Sequence, residues 1–265
     1  MRPLTLLAAL ALPLATACPG PGATKRSYPE PTAEQITTRL AQARARARSF
    51  QAQSTMDYWL GKDRVKGTVL VMGTPGAKVR FNALNPAGES VLADLACDGA
   101  GFVYVDVQKN CQLTGPCNAD SIAALLGVPL APDDFFYLAL GQAPVLDGAT
   151  GTVTWDSKLG RELVTLTSPA GTQQLVLDGK DGRWDVLRSE LKDPAGKLVW
   201  AVEHTDFAET QTADGQALRV PGKSRFRSPD DKADLLVEWE ERRINVELGD
   251  DKFQLTPPAG LPSCR

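Results

Sequence analysis

One histidine, His204, stands in 265 residues. A serine or cysteine triad needs an imidazole base, so any enzyme of that class would have to run through "VEHTDF". No Gly-x-Ser-x-Gly turn is present to raise a nucleophile. A lone strand histidine reads as structural, and no catalytic residue is assigned. Excess positive charge is missing too. Lys and Arg number 29 against 32 Asp and Glu, a net charge of −3, which excludes a basic nucleic-acid surface. The five cysteines contain no Cys-x-x-Cys pair, so no zinc site or other metal centre is expected. Asp98-Gly99-Ala100-Gly101 and Gly20-Pro21-Gly22-Ala23-Thr24-Lys25 lack the strand, Gly-rich loop and helix of a phosphate loop, and no cofactor is implied. Short-period repeats are absent, which excludes a solenoid.

What is present is alternation and punctuation. Hydrophobic residues make up 43% and charged residues 23%, an ordinary globular balance, and 23 glycines and 19 prolines suit many turns. Ala33–Arg48 reads as a helix, with Thr32 as N-cap and Gln35 completing a capping box. Its run Arg44, Arg46, Arg48 reads as a solvated face, with contact to anionic headgroups as the alternative. From Phe50 the period changes to two. Strands are expected over 50–58, 64–71, 78–83, 91–97, 102–107, 148–155, 162–168, 172–178, 184–192, 197–207, 217–227, 235–240 and 243–248. Turn signals such as Asp98-Gly99, Pro169-Ala170-Gly171 and Pro194-Ala195-Gly196 separate them. The acidic pairs Asp133-Asp134, Asp230-Asp231 and Asp250-Asp251 fall at turns or helix starts, where carboxylates cap rather than catalyse. Five tryptophans lie on strand-like stretches and read as core, with a ligand cavity or a membrane interface as the alternatives for some.

"SIAALLGVPLAPDDFFYLALGQ", residues 121–142, interrupts this pattern. It reads as two short apolar helices separated by Gly127 and Pro129. Together these features imply an α+β fold, mainly β: one large antiparallel sheet with an N-terminal helix and a mid-chain helical pair. A sheet of a dozen strands curls, and its concave apolar face needs a cover. The helical pair is that cover.

The first residues read as an export signal over 1–17. Arg2 precedes an apolar stretch, Leu4–Leu14, too short to span a bilayer. Ala15-Thr16-Ala17-Cys18 resembles the lipobox of bacterial lipoproteins, with Ala15 where that motif usually has Leu. The resemblance implies lipidation of Cys18, which would attach the chain to a membrane. Residues 18–32, rich in Pro and Gly, read as a tether. Pro19 stands where the inner-membrane retention signal has Asp, which by resemblance implies the periplasmic face of the outer membrane. Cysteine use agrees with an oxidising compartment. Cys111 and Cys117 share one short Gly/Pro loop, CQLTGPC, and are the expected disulfide. Cys97 and Cys264 pair only by elimination.

Residues 33–262 resemble the LolA/LolB-like family of periplasmic and outer-membrane proteins. The likeness rests on element order and on three late stretches: "WDVLRSELKDPAGKLVWAVEHTDF", "DGQALRVPGKSRFR" and "RINVELGDDKFQLTPPAG". The last contains Ile244, Asn245, Phe253, Leu255 and Pro257. The resemblance implies a single half-barrel domain over 33–265, incomplete and closed by helices, whose cavity holds acyl chains of lipids or lipoproteins. Ile122, Leu125, Leu126, Phe135, Phe136, Leu138 and Leu140 would then form the lid. Met56, Tyr58, Val69, Val71, Val79, Phe81, Val91 and Leu95 would form the wall. The implied role is a non-enzymatic, monomeric carrier or acceptor. The alternative is a structural or sensory envelope lipoprotein with the same residues as a filled core.

Overall fold

The computed structural model describes residues 23–126, 131–229 and 233–264. The signal segment, Cys18 and the Gly127–Pro129 break lie outside them, as does the Asp230-Asp231 turn. α1 spans Ala33–Ala45 and begins with the expected capping box: Thr32 accepts from the Gln35 amide, and Gln35 accepts from the Thr32 amide. Six strands follow: β1 (Phe50–Leu60), β2 (Asp63–Thr74), β3 (Lys78–Leu84), β4 (Val91–Asp98), β5 (Gly101–Asp106) and β6 (Cys111–Pro116). Next come α2 (Ala119–Leu126) and α3 (Pro132–Leu138). The second run is β7 (Thr150–Asp156), β8 (Arg161–Ser168), β9 (Gly171–Asp178), β10 (Asp185–Lys192) and β11 (Leu198–Thr205). It ends with β12 (Ala208–Gln211), β13 (Ala217–Val220), β14 (Lys223–Ser228) and β15 (Ala233–Ile244). No described helix is long and apolar enough to cross a membrane.

Thirteen of the described strands form one antiparallel sheet in the order β6-β5-β4-β3-β2-β1-β15-β14-β11-β10-β9-β8-β7, and β12 with β13 form a separate hairpin. The sheet curls without closing, because β6 and β7 end up as its two edges. They are consecutive in sequence, so the chain between them must cross the whole concave face. It does so in three steps, each marked by a core cluster. Ile122 of α2 packs with Val79, Leu95 and Phe102. Phe135, Phe136 and Leu138 of α3 pack with Val71, Val202, Phe226 and Val237. Ala143 and Val145 pack with Leu166, Leu175 and Leu177, where α1 adds Ile36 and Leu40. The helical pair is therefore a strap joining the two edges of an open barrel.

The disulfides differ from the expected pairing. The bonds are Cys97–Cys117 and Cys111–Cys264, not Cys111–Cys117. The reason is that CQLTGPC is a strand, not a loop. Cys111 opens β6 and Cys117 follows its last residue, six residues apart at about 3.3 Å each, beyond the reach of a disulfide. Cys117 lies beside the β4–β5 turn, where its amide bonds to the Ala100 carbonyl, and there it meets Cys97. Cys111 meets the C-terminal segment, which runs along edge strand β6 through Gln112 N–Pro262 O and Cys264 N–Gln112 O bonds, both 2.9 Å. That segment covers an edge that would otherwise present free backbone groups.

At the other end, residues 24–28 are docked on the sheet. Arg26 forms two hydrogen bonds of 2.8 and 3.0 Å to fully buried Glu162. Tyr28 packs edge-on against Trp155 and Trp184. Burial and the Glu162 carboxylate push the Tyr28 hydroxyl up to about 12. The expected tether over 18–32 is thus held to the body across its second half.

Non-reducing peptide mapping is expected to recover the 97–117 and 111–264 linkages and no 111–117 loop. Cys111→Ser/Cys264→Ser should lower unfolding stability more than Cys97→Ser/Cys117→Ser, about 5 against about 3 kcal/mol from loop closure alone. Equal losses in denaturant titration would contradict the tail's closing role.

Candidate functional site

The candidate site is the central trough of the concave face and the helix seated in it. Alternation along β1 turns Phe50, Ala52, Met56 and Tyr58 to this face; Val69 and Val71 of β2 lie across from them. Trp200 and Val202, Phe226, and Leu235 with Val237 and Trp239 continue it over β11, β14 and β15. α3 fills the trough. Phe136 is fully buried and tilts against Phe50 at 5.6 Å, while Phe135 meets Phe81 edge-on at 4.9 Å. The space left beneath α3 is about 20 Å³, room for about one water and not for an acyl chain.

Apolar contact holds the middle of the strap, and polar side chains hold its ends. Asp133 accepts from the Gly76 and Ala77 amides of the β2–β3 turn at 2.9 and 2.7 Å. Past the C-terminus of α3, four side chains grip the backbone. Arg242 donates to the Ala139 carbonyl at 2.8 Å and to Pro221 at 2.5 Å. Arg44 donates to the Ala143 carbonyl and stacks on Tyr137 at 4.9 Å. His204 meets the Gln142 carbonyl at 3.2 Å. Gln173 donates to Pro144 at 2.5 Å and accepts from Leu146 at 2.8 Å. Cations near the last carbonyls of a helix also suit its dipole.

These groups are buried, and burial sets their charge. It lowers Arg44, and it lowers Arg242 to about 10, still charged at neutral pH. It raises the Asp134 carboxyl, which the Arg44 charge partly offsets. His204 is held down to about 4 by burial, so it is neutral. The Gln142 carbonyl only accepts, which assigns the proton to Nε2. Nδ1 then accepts from the Ser224 hydroxyl at 2.9 Å, and Ser224 accepts from Trp239 Nε1 at 3.0 Å. The polar side-chain atoms of His204, Ser224 and Trp239 are all engaged, and His204 is a structural clamp.

Most residues expected at a cavity come together here, in two groups. Met56, Tyr58, Val69, Val71, Phe81, Phe135, Phe136, Leu138 and Leu140 belong to the central cluster. Val79, Leu95, Ile122 and Leu125 belong to the cluster under α2. Val91 does not join either. It begins β4 opposite Leu84, across a register shift that puts it out of step with Ala93 and Leu95, and it is 37% exposed. The side chain of Leu126 lies outside the described residues.

Sequence reading missed the clamp. For Gln173 and His204 a signal existed: each is a polar residue at an inward position, in step with Leu175 and Val202. For Arg242 none existed. Alternation from Leu235, Val237 and Trp239 makes Glu241 the next inward residue. A bulge places Ser54 opposite Trp239 and Ala52 opposite Arg242, so β15 carries one extra residue. The bulge turns Arg242 inward instead. It also explains why alternation split this single strand into two.

Solved structures share the fold. The chain superimposes on a LolA superfamily protein from Nitrosomonas europaea with a TM-score of 0.57 and 12% identity, covering 85% of this chain and 99% of that one. A DUF1329 family protein from Desulfovibrio piger matches with a TM-score of 0.56 and 12% identity, over 83% and 94% of the two chains. A domain classed as an outer membrane lipoprotein-sorting protein, from Vibrio parahaemolyticus, matches with a TM-score of 0.53 and 14% identity, over 81% and 94%. No protein-family model and no curated protein matches the chain. At these identities the likeness establishes the half-barrel architecture expected from the sequence.

His204 predicts a pH signature. Its folded value of about 4 lies below the ordinary 6.5, so the unfolded chain binds the proton more readily. Its contribution is complete above pH 6.5 and is lost as pH falls toward 4, about 3 kcal/mol across the window. Denaturant melts at pH 7, 5.5 and 4.5 should show this fall, and His204→Gln should flatten it. An identical slope in the variant would contradict the assignment.

Proposed function

We propose that this chain is an envelope lipoprotein, anchored through Cys18, whose trough takes up acyl chains when α3 leaves it. The observation that supports this reading is how α3 is held. It is a seven-residue helix with apolar side chains inward and polar contacts only at its ends. Without it, the apolar trough of β1, β2, β11, β14 and β15 would lie open. The solved neighbours described as LolA superfamily and lipoprotein-sorting proteins agree with a carrier or acceptor role at the outer membrane. No catalytic group is needed.

Magnitudes decide which ligands can displace the helix. Phe135, Phe136, Leu138 and Leu140 contribute roughly 8 kcal/mol by burial. The Asp133 and Arg242 bonds add roughly 3 kcal/mol. One buried chain of about 14 methylenes contributes roughly 11 kcal/mol, and two contribute twice that. A single chain therefore only balances the plug, whereas a diacyl lipid prevails.

A second reading has its own support. The small void beneath α3 suits a filled core, and the chain would then serve protein contacts in the envelope. Native mass spectrometry on delipidated protein starting at Pro19, which retains every described residue, separates the two. Diacyl lipid should bind at least tenfold better than a fatty acid of equal chain length. Arg242→Met, which frees the Ala139 carbonyl, should raise uptake about tenfold. Refusal of both lipids by both proteins would leave the filled-core reading.

A further inference from the structure

α1, the segment after α3 and the β12–β13 hairpin enclose a cleft of about 530 Å³, within the range of small-ligand sites. It faces the end of the half-barrel where β1 begins and β9 ends. Five guanidinium groups line it: Arg39, Arg44, Arg46, Arg183 and Arg219. Two are matched. Arg219 forms a bidentate pair with Asp185, and Arg183 meets Asp181 and Asp178. The three on α1 and its C-cap are different. Among the described residues no carboxylate reaches ion-pair distance of Arg39, Arg44 or Arg46. Glu209 is the remaining carboxylate on the wall, and Asp134 and Asp147 act on Arg44, so the excess positive charge facing the cleft is carried by Arg39 and Arg46.

Two of these guanidiniums are already oriented. Arg39 lies over the Trp184 ring at 5.2 Å and Arg44 over Tyr137 at 4.9 Å. Stacking occupies a guanidinium's face and leaves the N–H edge of Arg39 available, the edge that binds phosphate oxygens in pairs, whereas Arg44 already donates to the Ala143 carbonyl. The floor of the cleft is apolar and shared. Ala47, Leu140, Leu218 and Val220 line it and also belong to the central cluster around α3. The cleft and the trough are thus separated only by the end of the strap.

We propose that the cleft is a headgroup site for an anionic, phosphate-bearing lipid whose acyl chains enter the adjoining trough. This rests on the acyl-chain reading and narrows it to an anionic substrate class. It also gives a role to Arg44 and Arg46 of the arginine run, while Arg48 pairs with Asp214. Arg44 holds the strap at Ala143 and faces the same cleft, so one residue touches both parts of the site. Arg39 and Arg46 lie exposed at its rim and would receive the phosphate.

The test compares dimyristoyl phosphatidylglycerol with dimyristoylglycerol, which has the same chains and no phosphate. Protein starting at Pro19 is used, beside Arg39→Gln/Arg46→Gln, whose glutamines preserve helix propensity. The anionic lipid should bind at least tenfold tighter. The double variant should reduce that preference to twofold or less and leave dimyristoylglycerol binding unchanged. Equal binding of the two lipids, or a preference that survives the double substitution, would overturn the proposal. If neither lipid binds, the acyl-chain reading fails, and glycerol phosphate alone then tests the cleft. Binding that the double variant weakens keeps a phosphate site, and no binding removes it. Inorganic phosphate binding as tightly as the lipid would assign the cleft to a soluble anion and refute the headgroup role.

Discussion

The apolar concave face of an unclosed sheet has to be covered, and the rest of the molecule follows from that. Thirteen strands could bury this face only by closing into a barrel or by accepting a lining from elsewhere. Closure is prevented by order. β1 pairs with β15 at the centre, and the sequence neighbours β6 and β7 become the edges. The connection between them must then run across the opening. Apolar residues along it, Ile122, Phe135, Phe136, Leu138 and Ala143, become lining because they lie on that path.

A strap that crosses an apolar surface carries backbone carbonyls with it, and these need partners in a dry place. Arg44, Arg242, His204 and Gln173 supply them from α1, β15, β11 and β9. The clamp therefore joins four elements far apart in sequence. Arg44, His204 and Gln173 hold residues 142–146, whereas α3 is attached through Asp133 at its start and Arg242 at its end. This unequal holding makes α3 the part able to leave while the segment after it stays. The cation-rich cleft beside the clamp places charge at the mouth of the same apolar space.

Much of this architecture is legible in the sequence. Alternation from Phe50 onward implied a large antiparallel sheet, the capping box located α1, and the apolar stretch at 121–142 implied the cover. What alternation could not show was where its own phase slips. The bulge opposite Ala52 and Ser54 moves Arg242 from the expected outer face to the inner one, and only pairing with β1 reveals it. The cysteines failed for a related reason. CQLTGPC carries turn residues, yet it pairs with β5 and runs extended, so its two thiols point to different partners. Val91 fails in the same way: a register shift between Ala93 and Val91 sets it opposite Leu84 and out of step with Leu95.

Hydrogen exchange of the α3 amides with and without bound diacyl lipid tests the central claim most directly. If α3 is a plug that the ligand replaces, exchange across residues 132–138 should accelerate when lipid binds, while β1 and β15 stay protected. Lipid binding that leaves α3 exchange unchanged, or slows it, would mean the helix stays in the trough, and the account of an exchangeable plug would be wrong.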